Sequence, residues 1–283
     1  MYAKPAGPLS IKGVVDDAMR LYRASFNRAW VPALIMQIMI TGALVYVRIR
    51  SPELVDAGGL AFDIRKVAPS LLLLYLVAVL VSLIFSNAIT AQLLAVREGR
   101  ELSIGDSVAV GASFLLPTFG MALLLGGLGG VITVAAAASL ALLPNQARGL
   151  MTILFVLLAG YLVGRIFLAS VPLIGDRAGV LGSISASWRV TRRHWWRGAA
   201  IMTVVLLLFV VAMFAMQLCA GLLYLVVRSG TLTGMLAVQL VSAVIQAATV
   251  PFFNAGFVST FYDLKLRMQG QERAARVEPI SNP

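Results

Sequence analysis

Apolar residues along this chain gather into six long blocks, and the polar residues that divide them cluster at the block ends. The blocks cover 30–47, 71–96, 118–143, 150–174, 198–227 and 235–264. An α-helix rises about 1.5 Å per residue and needs roughly 20 residues to cross the hydrocarbon core of a bilayer, so each block predicts one transmembrane helix. The block at 198–227 holds thirty consecutive uncharged residues and must tilt or project beyond that core. The fold class that follows is all-α, a polytopic membrane protein of six transmembrane helices.

Three polar dividers carry a helical period of their own. Near the N-terminus Ser10 is placed to cap a helix in which Ile11, Val14, Val15, Ala18, Tyr22 and Phe26 share one face, with Lys12, Asp16, Arg20, Arg23 and Asn27 opposite. This pattern predicts an interfacial amphipathic helix over 11–27. Ser103 caps a weaker segment containing Ile104, Val108 and Leu115. The third segment sets Leu181, Ile184 and Trp188 against Ser185, Arg189 and Arg192, then runs through Arg193-His194-Trp195-Trp196-Arg197 into the fifth block. A surface segment precedes a spanning hairpin each time, and Asn87-Ala88 and Asn254-Ala255 hold similar places, so three surface-helix-plus-hairpin repeats are expected.

The remaining features are small residues, turns and polar stripes. Gly126 and Gly130 match the small-xxx-small spacing that lets helices approach closely in lipid, which predicts a packing face. Cys219 lies within an apolar block and is expected to be a buried, inert thiol. Gln239, Ser242, Gln246 and Thr249 form one stripe in the sixth span, with Asn254 beyond it; Ser82, Ser86 and Thr90 form another in the second, beside Asn87. Interhelical hydrogen bonds account for these stripes, and a polar cavity lined by them and Arg165 is the alternative. The connection 49–68 is too short for a catalytic domain, and the polar tail 268–283 is expected to be disordered.

Composition agrees with the pattern: 60% of the residues are apolar, 12% are charged and the mean hydropathy is +0.91. The net charge of +11 lies largely beside apolar blocks, which points to anionic lipid headgroups and away from nucleic acid. No h-region follows Met1-Tyr2-Ala3-Lys4-Pro5, so no cleavable signal peptide is expected. With the N-terminus inside, only Arg48, Arg50, Arg65, Lys66, Arg148 and Arg228 of the 23 Lys and Arg fall outside; the positive-inside rule selects this topology, with both termini cytoplasmic. An enzyme is not expected. The single His194 has no neighbouring carboxylate to orient it, no set of residues has metal-ligand spacing, and no cofactor is implied.

The two ends of the chain carry a family resemblance. Leu9-Ser10-Ile11, Val14-Val15-Asp16-Asp17-Ala18, Leu21-Tyr22-Arg23 and Phe26, together with Pro251, Tyr262-Asp263-Leu264-Lys265 and Arg267, resemble the membrane domain of some bacterial glycerophosphoryl diester phosphodiesterases and of free-standing membrane proteins of unknown function. Lys265 stands where that family more often has Arg. The resemblance implies a bacterial inner-membrane protein with Tyr262, Asp263, Lys265 and Arg267 as its motif, but the catalytic barrel of those enzymes has no counterpart in these residues. The function expected is a non-enzymatic membrane protein that binds anionic lipid at its cytoplasmic face through Arg189, Arg192, Arg193, Trp195, Trp196 and Arg197, with a protein partner or self-association left open. The intramembrane polar residues Asn87, Arg165, Gln239, Gln246 and Asn254 support the alternative, a permease or channel for a small solute.

Overall fold

The computed structural model describes residues 2–50, 69–142, 144–226 and 232–277. Among them the regular structure is entirely helical, with six helices long and apolar enough to cross a membrane. We label them α1 (Ile11–Arg50), α2 (Pro69–Arg97), α3 (Ile104–Ser113), α4 (Leu115–Leu142), α5 (Asn145–Ile166), α6 (Ser170–Gly175), α7 (Val180–Arg192), α8 (Trp195–Val226) and α9 (Leu232–Val277). The connection from residue 51 to 68, residues 227–231 and the end of the tail beyond Val277 lie outside the described residues.

A separate short helix before a span appears twice. α3 and α7 stop at Phe114 and at Arg193-His194 before α4 and α8 begin, whereas the first surface segment runs into its span as one helix of 40 residues. Pro32 does not end it. A proline removes one backbone donor and can bend a helix without breaking it when packing holds both sides. At 1.5 Å per residue α1 is about 60 Å long, roughly twice the hydrocarbon core, so its first half is free to lie at or beyond the interface.

The fourth candidate span covers Ala147–Gly175, with its helix interrupted after Ile166 and resumed as a short helix over 170–175. One further boundary differs from expectation. The tail is helical through Val277, because Gln269 to Ala275 contains only one weak helix former, Gly270; Pro279, the first true breaker, lies two residues past the helix end. The two serine caps form as expected. Gly13 N–H donates to Ser10 Oγ at 3.0 Å, and Asp106 N–H donates to Ser103 Oγ at 3.0 Å. α2 closes in a Schellman motif on Gly99, whose φ of 71° suits glycine, with Arg100 N–H reaching Ala95 O at 2.9 Å.

The chain divides into two compact units. The first comprises Met1–Lys4, Ala18–Leu115 and Val205–Ala255. Here α3 lies tightly on α2. A Cβ built on Gly111 would sit 2.2 Å from Ile84 O, so only glycine permits this approach, and Asn87 Nδ2 donates to Gly111 O at 3.3 Å across the contact. Gln92 Nε2 holds the start of α3 through Leu102 O and Ser103 O. Tyr22 Oη donates to Ala248 O at 2.9 Å, next to the carbonyl that Pro251 leaves without its usual donor, and its ring meets Phe252 edge-on at 5.8 Å. The second unit comprises Pro5–Asp17, Leu116–Val204 and Gly256–Pro283. In it α7 packs on α5 and α6.

Burial marks which faces meet protein. On α1 the buried positions Val14, Asp17, Ala18, Leu21, Ser25, Ala29 and Ala33 form a stripe rotated from the expected one, with Ile11 left exposed. The glycines of α4 are a correction. An added Cβ at Gly126, Gly127, Gly129 or Gly130 meets nothing within 4 Å, so no described helix uses them for close packing. Cys219 is exposed rather than buried, because the far half of α8 makes little contact with protein.

Candidate functional site

The site is built from the segment that joins α7 to α8 and from the parts of the second unit that hold it. α7 buries Ser183, Ser187, Val190 and Thr191 and leaves Leu181 and Trp188 exposed, the reverse of what an amphipathic helix does in water. In lipid, small residues let helices approach while large apolar residues are at ease on the outside. Ser187 Oγ donates to Arg165 O at 2.8 Å, and Thr191 Oγ donates back to Ser187 O at 2.8 Å, so the buried hydroxyls are satisfied.

Of the six residues expected to meet headgroups, four point outward. Arg189, Arg192 and Arg193 are exposed, and Trp196 is 80% exposed. Trp195 instead turns against Tyr161, with ring centroids 5.5 Å apart, and lies over Gly164, where an added Cβ would come 2.7 Å from its Nε1. Arg197 is partly buried and pairs with Asp263 at 3.0 Å.

Asp263 is the centre of a charged node and explains the C-terminal motif. Its carboxylate is 2% exposed and accepts from Leu9 N–H at 2.8 Å, Arg197 Nε at 3.0 Å and Arg267 Nε at 3.2 Å. Both arginines also donate to Leu9 O through Nη2. The node ties three distant stretches of sequence together. Lys265 pairs separately with Asp176 at 3.1 Å and lies over the Phe261 and Tyr262 rings, while Tyr262 stacks edge-on against Phe261. The sequence carries one signal for this node: Asp263 is the only acidic residue between Asp176 and Glu272.

Arg165 occupies the last turn of α5, where a cation complements the helix dipole. It is 7% exposed. Its guanidinium carbon lies 4.9 Å from the Tyr161 ring centre and 5.2 Å from that of Trp188, and Nη2 donates to Tyr161 Oη at 2.9 Å. Arg165 Nε and Nη1 are buried without an acceptor among the described residues, as is Trp195 Nε1, and His194 Nε2 is buried without a partner there.

The intramembrane stripes behave differently from the interhelical network expected of them. Ser82 and Thr90 donate to carbonyls of their own helix, as does Asn254 to Val250 O at 3.2 Å. Thr249 also reaches Met213 Sδ at 3.9 Å. The Gln239 and Gln246 amides find no hydrogen-bond partner among the described residues, and Gln246 borders a crevice of about 10 Å³ with Ser242, Gln217, Met213 and Met216, scarcely room for one water. Among the described residues Asn87 alone of these amides bridges two helices. Since no partner would be stranded, Gln246→Leu should leave the thermal midpoint in detergent unchanged within about 0.5 kcal/mol of stability. A fall of several degrees would show that the amide has a partner in the folded protein.

Among the described residues no group of His, Cys, Asp or Glu could hold a metal ion. What the site offers is a set of hydrogen-bond donors, positive charge and aromatic rings beside apolar helices. Together with the fold, it defines a multi-pass, all-α membrane protein. No protein-family description, curated protein or solved structure matches the chain, and the class stands on the structure alone.

Proposed function

We propose that this is a non-enzymatic bacterial inner-membrane protein, with both termini cytoplasmic, whose basic face binds anionic lipid headgroups. The observation that carries the reading is the outward face of 189–196: Arg189, Arg192 and Arg193 just before the apolar helix α8 and Trp196 in its first turn are exposed, where a bilayer surface would lie. The likeness of the chain ends to the phosphodiesterase membrane domain supports the location and adds no activity.

The reading is tested in two ways. In a Cys219→Ser background, cysteine at position 148 should react with an impermeant reagent from outside, while cysteine at 192 or 272 should not; labelling of 192 from outside would reverse the topology. With the protein reconstituted in mixed phosphatidylglycerol and phosphatidylcholine, changing Arg189, Arg192 and Arg193 together to Gln should reduce enrichment of the anionic lipid around it. The expected loss is about 1 kcal/mol per charge at low salt, largely erased at high salt. Unchanged enrichment at low salt would remove the headgroup role.

A further inference from the structure

The exposed arginines describe a diffuse, salt-sensitive attraction. Arg165 describes something else. Its guanidinium is nine-tenths buried, faces no carboxylate among the described residues, and is sandwiched between Tyr161 and Trp188 with two of its three nitrogens lacking an acceptor. Tyr161 Oη is already an acceptor for Arg165 Nη2, which leaves its own proton to donate elsewhere. The Trp195 ring adjoins Tyr161, and its Nε1–H is buried without an acceptor too.

The imbalance is chemical and one-sided. Arg165 Nε and Nη1 and Trp195 Nε1 are buried donors with no acceptor among the described residues, and Tyr161 Oη, which accepts from Arg165, has a proton of its own to give. A buried donor without an acceptor is costly, more so when charged, and a protein normally satisfies it with a partner or water. Water would satisfy the donors and leave the charge. An oxyanion with several acceptor oxygens satisfies both.

We propose that Tyr161, Arg165 and Trp195, closed over by Trp188, form a discrete site for one phosphate oxyanion. The site deepens the lipid-binding reading and rests on it for one point only, that the end of α5 lies at headgroup level. The phosphate belongs either to a phospholipid headgroup or to a phosphorylated solute. Entry is through Trp188, which is 37% exposed and forms the outer wall. Its ring swings aside as the phosphate enters, and phosphate oxygens accept from Nε and Nη1 in the guanidinium plane while the Tyr161 face is kept. The site differs from the basic surface in stoichiometry, one per chain, and in resistance to salt, because a desolvated pair is screened far less than an exposed one.

The experiment uses the full-length protein purified in a neutral detergent, washed at high salt, and assayed for retained phosphorus and for binding of phosphatidylglycerol and of inorganic phosphate. Salt-resistant binding of about one phosphate per chain is expected, weakened roughly tenfold or more by Arg165→Gln. Displacement of bound lipid by millimolar inorganic phosphate would assign the site to a phosphorylated solute; lipid that resists displacement would assign it to the headgroup. If native protein retains neither probe at high salt, the proposal is overturned. The Arg189, Arg192 and Arg193 triple variant should retain the salt-resistant phosphate whether or not it loses low-salt lipid enrichment, so the two readings fail separately. Should Arg165→Gln not yield folded protein, Trp195→Phe decides: it keeps an aromatic ring and deletes one buried donor, and it should weaken binding by about fivefold. Undiminished binding in that variant would overturn the site.

Discussion

Asp263→Ala should lower stability by about 3 kcal/mol, the largest loss expected from a single polar side chain in this protein. Removing the carboxylate leaves the partly buried Arg197 and Arg267 guanidinium groups facing each other with no counter-charge, and it strands the Leu9 N–H. Arg197→Gln or Arg267→Gln should cost less, because each leaves one arginine to balance the carboxylate. Thermal unfolding in detergent, followed by tryptophan fluorescence, gives the ranking. Limited trypsin digestion reports on the node itself: once Leu9 is released, cleavage after Lys12 should accelerate in Asp263→Ala well below the unfolding midpoint. An Asp263→Ala protein as stable and as resistant as the native one would mean that the node contributes nothing.

The second large effect is expected from a methyl group. Gly111→Ala places its Cβ 2.2 Å from Ile84 O and 3.0 Å from Ala88 N, both backbone atoms that cannot rotate away. α2 and α3 must separate, and the Asn87 bridge to Gly111 O is lost with them. Overpacking of this kind costs roughly 3 kcal/mol, against a gain of at most about 1 kcal/mol from exchanging glycine for alanine in a helix. Gly126→Ala is the matched comparison. It meets open space, so the propensity gain should appear alone and the midpoint should hold or rise. If both variants melt alike, the close approach at Gly111 is not a fixed feature of the folded protein.

These two glycines show how far the sequence can be read. Length and hydropathy determine the six spans, and Ser10 and Ser103 announce their helix starts by residue type alone. Gly126 and Gly130 have the glycine spacing associated with close packing and do not pack here; Gly111, with only Ser107 at that spacing, does. Spacing records what a helix face permits, whereas contact depends on which helix arrives. The same limit governs the site. The basic run 189–197 is legible as a surface feature, but the inward turn of Arg197 requires knowing that Asp263 and Leu9 meet it. On α7 the pattern separates Leu181 and Trp188 from Arg189 and Arg192, and all four are exposed; what it does not announce is the stripe of Ser183, Ser187 and Thr191 between them, whose small side chains let the helix pack closely on its neighbours. The glutamine stripe misleads in a related way, since a regular spacing of amides says nothing about partners.

Side chains of Leu123, Val131, Val134, Leu150, Val156, Leu157, Leu207 and Phe214 are left exposed along the outer parts of α4, α5 and α8, so within this chain little holds those segments laterally. Their neighbours are acyl chains, and their order is therefore a property of the solvent as much as of the sequence. A bilayer that matches their length keeps them straight at little cost, and a short-chain detergent belt does not. Amide exchange should accordingly speed up in those segments on transfer to such a detergent while the strands of chain joined at Asp263 stay protected, which makes bilayer thickness a variable that tunes the spans while leaving the charged node untouched.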